Sequence, residues 1–304
     1  MALLAISTCL SCGSKPSSST PQKTTDRKKH SEVAIVESPP EVQHARSPQR
    51  RALVIGLGEQ EDARWAKING DKDVAYVKKM LRNAGYQDIR TLVNRQATKA
   101  GIVTAFHVLA ENCQMGDQVY VHFSGHGQQV TDVNGDEGTD SLDEAWIPYD
   151  AYLMYSDSYK GEKHLVDDEV NELLAAVKTK IGDKGRLLVV VDACHSGDSS
   201  RGSDDEVVRG VGDIFSIPIK QRGKARKLQE RWLTLSACED FQVNSEMRRP
   251  VVGKLTFALY SLAGKGVSLQ SVEDFMERYQ GALPQTPVLT GTTREHTLSD
   301  FFKK

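Results

Sequence analysis

Three features that would assign a class at once are missing from this 304-residue chain. No apolar run approaches the roughly 20 residues that a helix needs to span a bilayer, which excludes a membrane-crossing helix. Neither sign of charge dominates: 39 Lys and Arg against 41 Asp and Glu leave a formal net charge of -2, so there is no electrostatic case for a nucleic-acid partner. Cysteine is scarce: Cys9 and Cys12 lie in the leader, and the remaining Cys113, Cys194 and Cys238 are an odd, widely spaced set without metal-ligand spacing. They say little about disulfides. What is present is 39% hydrophobic content, enough for a core, in a length that suits one large or two small domains.

The first fifty residues differ in kind from the rest. Met1 to Cys12 is a short apolar run ending in small residues and cysteine, similar to the end of a bacterial lipoprotein signal, with Cys9 or Cys12 as the acylated residue. No Lys or Arg precedes the run, which leaves a plain N-terminal extension as the alternative. Residues 13–49 are rich in Ser, Thr, Pro and charge and read as a disordered polar tether. The expected location is therefore lipid-anchored and extracytoplasmic in a bacterium, or else cytoplasmic. Any membrane attachment would be through the lipid alone.

Two short segments carry the chemistry. Val119-Tyr-Val-His-Phe-Ser-Gly-His-Gly127 and Leu187-Leu-Val-Val-Val-Asp-Ala-Cys-His-Ser-Gly197 are apolar runs that stop abruptly in small and polar residues. Continuous β-branched runs such as Leu187 to Val191 fit a strand buried on both faces of a parallel sheet. Between them Val170, Leu173, Leu174 and Val177 recur at helical spacing, with Asp167 as the expected N-cap. A strand-helix-strand order predicts an α/β fold whose strands share a direction and whose carboxyl ends form one rim. His126 and Cys194 would share that rim, and a thiol beside an imidazole suggests a cysteine hydrolase.

The remaining cysteines and histidines are weaker candidates. Cys113 ends a helical pattern beginning near Thr98 and reads as core. Cys238 follows the strand-like Trp232 to Ser236 and is a rival nucleophile, but Glu239 and Asp240 beside it would disfavour a thiolate. His122 lies within a strand pattern and reads as a satisfied core residue. His195 adjoins Cys194, yet neighbours in extended chain point to opposite sides. Gly125 and Gly127 around His126 would let backbone approach a ligand and offer N–H groups to an oxyanion.

Taken together, Ser124-Gly-His-Gly127, Asp192-Ala-Cys-His-Ser-Gly197 and the order His before Cys resemble the caspase-fold cysteine peptidases of clan CD, in particular the bacterial type of the metacaspase-like branch. Ala52 to Gly56, Asn69 to Ala75, Asp143 to Asp150, Leu165 to Glu169, Ser236 to Gln242 and Gln285 to Pro287 extend the likeness over nearly all of residues 51–304. The resemblance implies a three-layer caspase-like sandwich over residues 50–304, its mainly parallel central sheet flanked by helices. A large segment of about 50–200 and a small one of about 232–304 would be joined by a basic processing loop of about 201–231.

The same resemblance implies an endopeptidase in which Cys194 attacks the scissile carbonyl. His126 would move the proton, and the N–H groups of Gly127 and Cys194 would hold the oxyanion. Asp73, Ser124, Asp192 and Glu246 match residues that line a pocket for Arg or Lys before the cleaved bond, so the expected partners are protein or peptide substrates with Arg or Lys there. The branch usually has aspartate where this chain has Glu246, whose carboxylate reaches one methylene further. A solvated carboxylate at a helix start is the plainer reading of Asp73. No cofactor is required for this chemistry. Asp143, Asp167 and Asp168 match positions that bind activating Ca2+ in some relatives, whereas the acidic stretch from Asp132 fails the EF-hand pattern. Arg209, Lys220, Arg222, Lys224, Arg226 and Lys227 lie in the aperiodic loop, a place for self-cleavage or an ordinary mobile surface. A non-catalytic interaction module of the same fold, or another clan CD peptidase of different specificity, are the rival readings.

Overall fold

The computed structural model describes residues 46–135, 141–194, 207–218, 231–281, 284–291 and 297–304. The leader and most of the tether, His195 and the basic residues from Lys220 to Lys227 lie outside the described residues. The compact unit spans Arg46–Lys304. Its first residues already belong to it, since Arg46 pairs with Asp117 at 3.0 Å.

Alternating strands and helices build the unit. In chain order they are β1 (Arg50–Gly56), α1 (Gly70–Asn83), β2 (Asp88–Val93), α2 (Lys99–Asn112), β3 (Gln118–Ser124), β4 (Gly127–Thr131), β5 (Leu142–Trp146), β6 (Leu165–Val166), α3 (Asp167–Ile181) and β7 (Arg186–Asp192). There follow β8 (Leu233–Ser236), β9 (Glu246–Arg248), β10 (Val251–Gly253), α4 (Lys254–Leu262), α5 (Leu269–Glu277) and β11 (Val288–Thr290). The main sheet has the order β11-β8-β7-β3-β1-β2. Only β11 runs antiparallel to its neighbour; the other pairs are parallel, as the continuously apolar runs predict.

Period-two alternation sorts the strand side chains into two cores. Leu53, Ile55, Val121, Phe123, Val189 and Val191 pack against α2 and α3. Ala52, Val54, Tyr120, Leu188, Val190 and Leu235 pack against α1, α4 and α5. The result is the three-layer α/β sandwich expected from the sequence. The cap of α3 differs from expectation: Asp167 is its first residue and Val166 the N-cap, with no side-chain cap bond. Three acidic residues in that first turn favour the positive helix end instead. Thr98 caps α2 through Gly101 N–H, and Cys113 ends that helix within the core.

A smaller antiparallel sheet, β4-β5-β6, leaves the carboxyl end of β3, and the β9-β10 hairpin leads into α4. Both flank the rim where the parallel strands end.

Among the described residues three histidines are sealed inside the unit. His122, His126 and His164 are each pushed down to about 4 by burial, so all are neutral at neutral pH. Because the unfolded chain takes up these protons near pH 6.5 and the fold resists until about 4, stability is full above pH 6.5 and falls on acidification through that window. The loss for each histidine is on the order of 3 kcal/mol by pH 4. His164 tests this away from the rim, where it bonds Tyr159 Oη and Gln128 Oε1, both at 2.9 Å. Urea unfolding at pH 7 and pH 4.5 should show the wild type losing more stability on acidification than His164→Gln; equal losses would contradict the burial account.

Candidate active site

β3 and β7 are direct neighbours in parallel register, Ser124 opposite Asp192. Two residues beyond each strand end stand His126 and Cys194, so the common rim predicted from the sequence is formed. The chain turns at Gly125, whose N–H reaches Asp192 O at 3.4 Å. An added Cβ there would lie 2.8 Å from the Phe123 ring.

His126 is oriented by backbone. Its Nε2–H donates to Ala66 O at 2.8 Å, which fixes the tautomer and leaves the Nδ1 lone pair as the proton acceptor. Nδ1 is buried and has no hydrogen-bond partner among the described residues. Trp65 stacks against the imidazole, with ring centroids 5.1 Å apart, and is itself tied to Ala151 O. The Cys194 thiol donates to Gln242 O at 2.8 Å, so the thiol–imidazole hydrogen bond is not formed in this arrangement. Cys238 lies beside it. Its hydrogen bond to Cys194 and its burial push its thiol well above the ordinary value, which makes it a poor nucleophile.

Next to Cys194 is a buried acidic pocket, and it is filled. The Arg209 Nη1 meets Asp73 Oδ2 at 2.6 Å and Asp192 Oδ1 at 3.3 Å, while its Nε meets Glu246 Oε1 at 3.0 Å. Arg209, Asp73 and Asp192 are wholly buried and Glu246 is nearly so. Asp73 is thus no solvated helix-start carboxylate.

Two helix N-termini explain how the carboxylates are tolerated. Asp73 lies in the first turn of α1, and Asn69, the N-cap of that helix, donates through N–H and Nδ2 to Glu246. At the start of α4, Gly253 N–H donates to Asp73 at 3.0 Å and Thr256 N–H to Asp192 at 2.9 Å. Asn244 Nδ2 and Thr256 Oγ1 complete the shell of Asp192. Burial alone would raise Asp192; the Arg209 charge, then the Thr256 and Asn244 hydrogen bonds, hold it below the ordinary carboxylate value. Burial holds Asp73 above its ordinary value even against the pull of Arg209, with the Asp192 charge adding to the rise.

Ser124 stands under the pocket. Its Oγ donates to Asp73 at 2.9 Å and meets His122 Nε2 at the same distance, which satisfies the core histidine as expected. Gly253 gives the guanidinium its room: a Cβ there would lie 2.2 Å from Asp192 Oδ2 and 2.6 Å from Arg209 Nη1.

The backbone of Arg209 is held as firmly as its side chain. Cys194 N–H donates to Arg209 O at 2.7 Å. The Gly127 amide lies on the edge of β4 turned away from β5, because Ile147 N–H takes His126 O and sets which residues of the ladder face inward. The Cys194 amide therefore borders the occupied pocket.

The residues expected to bind a cation lie on β5 and just beyond β6, the strand paired to it. Asp143 is buried on β5, Asp167 and Asp168 open α3, and Asn134 Nδ2 donates to Asp168. Among the described residues no three His, Cys, Asp or Glu side chains gather about one point that could hold a metal ion. No step below passes through the ion.

Residues 50–200 match the family model of the metacaspase, peptidase C14 domain. The chain's fold is caspase-like. Metacaspase-1 of Eremothecium gossypii is 32% identical over 158 residues, covering 49% of this chain and 32% of that protein. Metacaspase-1A of Aspergillus niger is 32% identical over 158 residues, covering 49% of this chain and 36% of that protein. The chain thus spans about a third of the length of these curated relatives. Among solved structures, protein GSU0716 from Geobacter sulfurreducens superimposes with a TM-score of 0.60 at 24% identity, over 84% of this chain and 97% of that one. Caspase-1 from Spodoptera frugiperda gives 0.56 at 12% identity, over 84% and 93%.

Several contributors to this site had no sequence signature. Ala66 and Gln242 act through carbonyls, and Gly253, Asn244 and Thr256 are brought in by a hairpin and a helix start far along the chain. Arg209 was visible only as one basic residue of a loop.

Proposed function

We propose that this domain is a cysteine endopeptidase that hydrolyses peptide bonds after Arg or Lys by a Cys194–His126 dyad. The observation that carries the reading is Arg209, whose guanidinium lies among Asp73, Asp192 and Glu246 while its own carbonyl accepts from Cys194 N–H. A substrate arginine placed in the same way has its carbonyl carbon beside the nucleophile. Its developing oxyanion would be held by the Cys194 amide, with the Gly127 amide on the adjoining edge.

In the proposed reaction the thiol turns from Gln242 O toward His126 Nδ1, which takes its proton. Sulfur then bonds to the carbonyl carbon, the C–N bond breaks, and imidazolium protonates the departing amine. Water attacks the thioester, releasing the new carboxyl group and restoring the thiol. A buried cluster of three carboxylates repels an acidic side chain at this position and accepts a basic one.

A fluorogenic peptide panel varied only before the scissile bond tests the proposal. Arg and Lys peptides should be cleaved, with an Asp peptide at least about 1,000-fold slower, as expected for a like charge in place of a buried pair worth several kcal/mol. Cleavage after Asp in preference to Arg or Lys would refute it, and no cleavage of any peptide by processed protein would favour a non-catalytic module.

A further inference from the structure

We infer that the site takes substrates with an acidic residue three positions before the basic one, and that Lys254 receives that carboxylate. This rests on the peptidase reading above and extends it upstream along the substrate.

The chain's own segment shows how a substrate would lie on that side. Val208 is bridged in antiparallel sense to Ser245, Glu246 N–H donates to Val207 O at 2.9 Å, and Arg209 N–H donates to Asn244 O at 2.8 Å. The edge of β9 turned away from β10 thus accepts an extended peptide as an added strand, with its basic residue over Asp73, Asp192 and Glu246. Directly opposed residues of antiparallel strands put their side chains on the same face. With the basic residue as the first position, this register sets the second opposite Ser245, the third opposite Glu246, the fourth opposite Met247 and the fifth opposite Arg248.

The side chains that meet the fourth and fifth positions are largely positive. Lys254, the first residue of α4, is buried, and its Nζ donates to Ser245 Oγ at 2.6 Å, so the ammonium lies on the face of Ser245 and Met247. Met247 and Lys254 line a cavity of about 280 Å³ together with Arg248, Arg249 and Tyr279. Glu246 borders it too, but its carboxylate is turned to Arg209 and Asn69. A side chain at the fourth substrate position would enter this space. On the opposite face Arg248 and Lys72 line a second cavity, of about 290 Å³, beside Val207. An ammonium buried as Lys254 is draws a carboxylate more strongly than one in water, while the exposed Arg248, Arg249 and Lys72 add a screened attraction.

The order of residues in the chain agrees with this independently. Asp204-Asp205-Glu206 precedes Val207 in the sequence. The peptide whose arginine fills the basic pocket therefore carries Glu at its fourth position and Asp at its fifth and sixth, the charges that the cations along β9 and its turn would select.

Fluorogenic tetrapeptides ending in Arg, with Val at the second and third positions, test this on the same protein as the panel above. With Glu at the fourth position kcat/KM should exceed that of the Gln peptide at least about tenfold, and that of the Lys peptide by more. Moving Glu to the third position, opposite Glu246, should forfeit the gain. Lys254→Gln, its fold checked by thermal unfolding, should bring the Glu-to-Gln ratio below about threefold. Equal kcat/KM for Glu and Gln peptides, a gain that follows Glu to either position, or an undiminished preference in folded Lys254→Gln would overturn the inference. The first two of these outcomes need only the wild type. If Arg peptides are cleaved without regard to the fourth residue, only this inference fails; if no peptide is cleaved, the peptidase reading fails with it.

Discussion

Replacing Cys194 by alanine should lower turnover of Arg and Lys peptides by at least about 10,000-fold, the scale of losing the group proposed to form the covalent intermediate. The fold should hardly notice. Cys194 is buried at the end of β7 but contributes one small side chain beside Cys238 and Gln242, so the thermal midpoint should stay within about 4 °C of wild type. Stopped turnover with an unchanged unfolding transition separates loss of chemistry from loss of structure. Cys238 should not take over, because with Cys194 removed its burial and the charges of Asp192 and Asp240 still push its thiol up. Activity surviving in Cys194→Ala would move the nucleophile elsewhere.

Asp192→Asn has the second large effect, and it falls on discrimination. This carboxylate meets the guanidinium of Arg209 at 3.3 Å while Thr256 and Asn244 hold it from behind. Losing its charge and keeping its shape removes one partner of a buried pair, which costs about 2–5 kcal/mol and so roughly 100-fold or more in kcat/KM for Arg peptides. A peptide with citrulline in place of Arg is the control. It has nearly the same shape without the charge, so its smaller kcat/KM should change little in Asp192→Asn. Equal losses for both peptides would assign Asp192 a structural part only.

How much of this was legible depends on the range of the interaction. The rim was readable because β3 and β7 are apolar on both faces and then stop, and because sheet alternation puts Ser124 and Asp192 on the face that receives Asp73 from α1. The likeness of these segments to caspase-fold peptidases then named the pocket carboxylates. Arg209 stayed hidden among basic loop residues, since nothing local distinguishes a side chain that travels to α1 and β9 from one that stays in water. The three-residue strands β9 and β10 are too short for a pattern, though their pairing sets Gly253 opposite Glu246. Carbonyl partners such as Ala66 O have no residue preference at all. The N-cap of α3 was misplaced by one residue because an acidic first turn and an acidic cap look alike in sequence.

The account stands most directly on where a peptidyl-arginine chloromethyl ketone bonds in the processed protein. It predicts one adduct per chain, mapped to Cys194 by peptide mass, prevented by excess Arg peptide and absent from the Asp192→Asn variant at the same dose. An adduct on Cys238, or labelling of Cys194 that is indifferent to Arg peptide and to Asp192, would contradict it.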